Sequence, residues 1–100
     1  MGEILSFTRW ALVRVFDPAD KERFYDAEID VPSPNFGEDN ADRSTVWGDE
    51  ESFDDIIDGE QVSIVVSAYN SIVGGGVQAT WNGEEATTEI LETQDENEDL

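Results

Sequence analysis

Residues 77–91 read VQATWNGEEATTEIL. Two β-rich arms flank Asn82–Gly83, and Asn-Gly is the pair favoured by a two-residue type I′ turn, whose central residues both need positive φ. The turn sets the register: Trp81 opposite Glu84, Ala79 opposite Ala86, and Val77 opposite Thr88. Val77, Ala79, Trp81, Ala86 and Ile90 then share one face, and their apolar character points that face inward. An isolated hairpin is marginal in water, so this one calls for further strands.

The preceding segment supplies one. In QVSIVVSAYN (61–70), Val62, Ile64, Val66 and Ala68 alternate with Ser63, Val65, Ser67 and Tyr69. Asn70–Ser71 turns the chain, and Gly74–Gly75–Gly76 marks a bend, a bulge or a close backbone approach. Near the N-terminus, ILSFTRWALVRVF (4–16) is β-branched and aromatic without a helix cap. It reads as a long central strand covered on both sides: Leu5, Phe7, Ala11, Val13 and Val15 face one way, and Ile4, Trp10, Leu12 and Phe16 the other. No single period fits it cleanly, so a helix stays open there. DPADKE (17–22) is a turn, and FYDAEIDVP alternates Tyr25, Ala27, Ile29 and Val31 inward with Asp26, Glu28 and Asp30 outward. Pro32 and Pro34 end that strand.

Residues 32–60 lack a long periodic element and form an acidic connection. Within it, SFDDIIDG (52–59) suggests a short helical turn near 52–58, with Ser52 as N-cap and Gly59 as stop. Phe36, Trp47, Phe53 and Ile56–Ile57 would pin the connection to the sheet. The fold class is therefore all-β, a small antiparallel sandwich or partly open barrel of five to six strands. Residues 1–93 form a single domain, and the acidic residues 94–100 form a solvated tail.

Charge narrows the range of functions. The chain has 100 residues, with 25 Asp and Glu against five Lys and Arg, a net charge of −20. The bases are Arg9, Arg14, Arg23, Arg43 and the single lysine, Lys21. Repulsion among so many carboxylates is screened over about 3 Å at 1 M salt but over about 10 Å at 0.1 M. A compact chain of this charge is far easier to hold together in concentrated salt. The composition resembles that of proteins from extreme halophiles, the haloarchaea and their viruses. That resemblance identifies a solvent rather than a family.

Catalysis finds little support. With no Cys, no His and one Lys, most nucleophilic and metal-hydrolase mechanisms lack their groups. Neighbouring acids such as Asp54–Asp55 or Glu50–Glu51 point different ways along a strand or helix, and nothing buries one of them. No catalytic residue and no cofactor is assigned, and a non-enzymatic protein is expected. The run GEDNADRSTVWGDE offers Glu38, Asn40, Asp42 and Asp49 as weak metal candidates. Arg43 stands where a Ca²⁺ loop needs its turn glycine, and Asp49 where it needs the closing glutamate, so no specific metal site is assigned.

Partners follow from the same charge balance. Direct phosphate binding is disfavoured by −20, although the outward row Asp26, Glu28, Asp30 suggests an alternative, a regulatory protein that sequesters a DNA-binding partner by imitating phosphates. Residues 61–83 carry no charge over 23 positions. They have membrane-spanning length but too many Ser, Asn, Gln, Thr and Gly to cross one, and no signal peptide is read at the N-terminus. Such a segment is either core or a protein interface. Tyr69, Asn70, Gln78 and Trp81 are the interface candidates. The expected protein is a structural or interaction subunit of a homo- or hetero-oligomeric assembly, without a membrane. It would sit in the cytoplasm of a high-salt cell or in a virion, as a capsid-decoration, spike or tail-associated subunit.

Overall fold

The computed structural model describes residues 3–34 and 45–95. Within them the chain forms eight strands and no helix: β1 (Thr8–Asp17), β2 (Asp20–Asp30), β3 (Val46–Trp47), β4 (Glu51–Ile57), β5 (Glu60–Asn70), β6 (Gly76–Trp81), β7 (Glu84–Ala86) and β8 (Thr88–Asp95). All pairings between them are antiparallel. One sheet has the order β2-β1-β8. In the other, β6 separates β5 from β7, while β3 and β4 follow one another along the far edge of β5. The two sheets stack as a sandwich around a core of Ala11, Val13, Val15, Ala27, Ile29, Val62, Ile64, Val66 and Trp81.

Turn chemistry fixes the hairpins. Asn82 and Gly83 have φ of 50° and 86°, the pair of left-handed residues the sequence predicts. Asp58 and Gly59, at 53° and 81°, make a second turn of the same kind between β4 and β5. Between β1 and β2, Asp17 Oδ1 accepts the Ala19 amide at 2.8 Å and closes the turn through a side chain. Of the bend, bulge or close backbone approach that the glycine triplet left open, Gly75 shows the last, because a Cβ there would collide with the Tyr69 carbonyl oxygen. Its amide donates to Ile4 O at 3.0 Å, which ties the N-terminal segment to this sheet.

Several expectations change. The helical turn near 52–58 is strand β4, because Ser52 to Ile57 pair residue by residue with Val65 to Glu60. Phe53 and Ile57 face the core as anticipated, and Phe53 lies 5.6 Å from the Tyr25 ring of the opposite sheet. Ile56 alternates outward and is 69% exposed, so it does not pin the connection, whereas Trp47, though 53% exposed, does so from outside the core by packing on Tyr69 of β5. Phe36 lies outside the described residues.

β1 is central, but only its Ala11–Val13–Val15 face is buried. Trp10, Leu12 and Phe16 are half-buried on the outer face, and Leu5 and Phe7 precede the strand and are exposed. The arm after Asn82–Gly83 leaves its hairpin at Thr87. Val77 therefore does not meet Thr88, which pairs with Val15 instead, and Ile90 reaches the core from the other sheet opposite Val13. A strand that switches sheets in this way turns a sandwich corner. Gln94 and Asp95, read as the start of the acidic tail, belong to β8, and residues 96–100 lie outside the described residues.

Candidate protein-interaction face

β5 and β6 run side by side at the middle of the second sheet, and their alternation decides which residues meet solvent. Ile64, Val66 and Ala68 point inward opposite Trp81, Ala79 and Val77. The intervening pairs, Val65 opposite Thr80 and Ser67 opposite Gln78, therefore face outward. Tyr69 continues the row beside Gly76 on one flank and Trp47 on the other, and the Trp47 and Tyr69 rings lie 4.8 Å apart. Glycine is suited to position 76: a Cβ there would lie 2.7 Å from the Tyr69 hydroxyl.

The result is a neutral surface of hydroxyl, amide, aromatic and one branched aliphatic side chains. Val65, Ser67, Gln78 and Thr80 floor a shallow depression with Glu50 at one margin and Glu85 at the other. Aromatic residues such as Tyr69 and Trp47 are of the kind enriched at protein interfaces, and the hydroxyl and amide groups beside them can hydrogen-bond across one.

The four interface candidates separate into two pairs. Gln78 is exposed and Tyr69 half-buried on this face. Trp81 is 4% exposed, because it continues the inward row of Val77 and Ala79. Asn70 is fully buried for the same reason, following Ala68 on the inward side of β5. Its Nδ2 donates to Leu5 O at 3.0 Å, Ser6 O at 3.3 Å and Pro32 O at 3.2 Å, and its Oδ1 accepts the Ser71 amide at 2.9 Å. Asn70 thus clips three chain segments together inside the fold. Trp47, Val65, Ser67 and Thr80 join the surface in place of Asn70 and Trp81. The alternate set of the 61–70 segment, Ser63, Val65, Ser67 and Tyr69, already signalled Val65 and Ser67, whereas Trp47 depends on the β3–β5 pairing.

Beyond the bordering Glu50 and Glu85, Arg23 organises a charged cluster away from the face. Arg23 Nη2 meets Glu60 Oε1 at 2.8 Å, and its guanidinium lies 3.6 Å from both Asp17 and Asp58, joining the β1–β2 turn to the β4–β5 turn. The hydrogen bond to Glu60 is the largest influence and raises the Arg23 pKa; removal from water opposes it next, and the charges of Glu60, Asp17 and Asp58 add to the rise. Of the metal candidates, Asp49 is exposed, and Glu38, Asn40 and Asp42 lie outside the described residues. Among the described residues no group of three or more His, Cys, Asp or Glu is placed to hold a metal ion, and no helix is long and apolar enough to cross a membrane. No known protein family, curated protein or solved structure matches the chain.

Proposed function

We propose that the protein is a non-enzymatic assembly subunit of a high-salt environment and that it binds protein through the outer face of β5 and β6. The observation that carries this reading is the neutrality of that face in a chain of net charge −20. Two copies, or a copy and another acidic protein, approach with least repulsion where Val65, Ser67, Tyr69, Gln78 and Thr80 meet them. Acids elsewhere keep the assembly hydrated and soluble. A subunit of a haloarchaeal virion, such as a capsid-decoration, spike or tail-associated protein, is the concrete form we favour. Virion genes beside its own would support that form, and a solely metabolic neighbourhood would count against it.

Charge inserted into the face tests the interaction itself. Thr80→Lys or Gln78→Glu should disperse the assembly, as measured by light scattering in molar KCl, while Glu28→Lys on the opposite sheet should leave it intact. Equal particle mass for wild type and both face variants would refute the assignment.

A further inference from the structure

The outer face of the β2-β1-β8 sheet has a different character. Trp10, Leu12, Arg14 and Phe16 alternate outward along the central strand β1. Trp10 stands between Asp30 and Gln94, Leu12 between Glu28 and Glu92, and Arg14 between Asp26 and Glu89, while Phe16 faces Phe24. Neighbouring strands are about 4.8 Å apart, so two rows of acids flank an apolar rail at a separation of roughly 10 Å. The cation within the rail is already engaged. Arg14 Nε and Nη2 hold the two Asp26 oxygens at 2.8 and 3.0 Å, and its guanidinium lies 3.9 Å over the Phe24 ring. Glu28, Asp30, Glu89 and Glu92 are exposed beside half-buried Trp10 and Leu12, and Phe24 is 41% exposed.

We infer that this face docks a cationic amphipathic segment of another protein, a helix or strand with an apolar ridge bordered by Lys or Arg. The ridge would cover Trp10, Leu12, Phe16 and Phe24, and the flanking cations would meet the two carboxylate rows. Charge complementarity selects the occupant. A second copy of this chain would bring further acids against Glu28 and Glu92, and nucleic acid or an anionic membrane would bring phosphates against them. In molar salt the carboxylates act only at contact distance, so they set register while the apolar rail supplies affinity. The inference does not rest on the assembly reading, since it uses the opposite face of the sandwich.

The test is an amide NMR titration of the ¹⁵N-labelled full chain in about 1 M KCl. The probe is a synthetic Leu/Lys peptide with Leu at helical spacing and Lys on both flanks. The expected shifts fall on β1, β2 and β8 around Leu12. Glu28→Lys with Glu92→Lys, and separately Leu12→Ser, should weaken binding at least about tenfold while amide dispersion is retained. Shifts centred on β5 and β6, undiminished binding by the folded variants, equal binding of a sequence-scrambled peptide, or absence of binding would each overturn the proposal.

Discussion

Two residues bear disproportionately on the fold. At Gly75 a methyl group has nowhere to go, because the Tyr69 carbonyl occupies its position and that backbone is held in the β5–β6 ladder. Gly75→Ala should cost more than about 3 kcal/mol or abolish folding, measured by chemical denaturation in molar salt. Gly76→Ala should be milder, since only the Tyr69 ring must move. The Asn70 amide, itself fully buried, serves three partly buried carbonyls. Asn70→Ala should cost about 2–3 kcal/mol through unsatisfied, partly buried acceptors, and a denaturation midpoint equal to wild type would show that the clip contributes nothing. Asn70 illustrates how the sequence can mislead: polar identity suggested a surface residue, while its place in the Val62–Ala68 alternation already put it inside.

Among the elements, β4 was hardest to read. Its acids Asp54 and Asp55 and the Ser52 cap position imitate a helix start, while Phe53 and Ile57 keep a strand period that only pairing with β5 reveals. The decisive local signal was Asp58–Gly59, a hairpin pair equivalent to Asn82–Gly83. Open space surrounds the Gly59 position, so Gly59→Val should cost about 1–2 kcal/mol through its positive φ alone; an unchanged denaturation midpoint would mean that the turn is not of this type. The β6–β7 hairpin, β2 and the inward row of β5 were legible because turn chemistry and period agree there, whereas β1 was read from its β-branched and aromatic content with no clean period. The crossing of β7 into β8 at Thr87 was not, because a sheet switch preserves alternation and leaves no mark in the pattern. At the sandwich end, Arg23→Gln should lower the melting temperature by separating the two turns it bridges. Its raised pKa favours the charged folded form, so that contribution persists at every pH below the ordinary arginine range and fades only above it.

At the scale of the whole molecule, charge and neutrality divide the surface. Net charge of −20 on a small domain means that dilution from molar to about 50 mM salt should loosen or unfold it. Circular dichroism that is superimposable across that range would contradict adaptation to concentrated salt. The sandwich places carboxylate rows on the outer face of one sheet and, on the other, the uncharged row of Val65, Ser67, Tyr69, Gln78 and Thr80 with Glu50 and Glu85 only at its margins. In the proposed account the acids suit concentrated salt and the neutral row is the surface of association. Sedimentation equilibrium of the wild-type chain in about 2 M KCl tests that association most directly. Assembly through β5 and β6 predicts a mass that rises with concentration to a dimer or a larger oligomer; a mass fixed at one chain across the series would contradict self-assembly through this face.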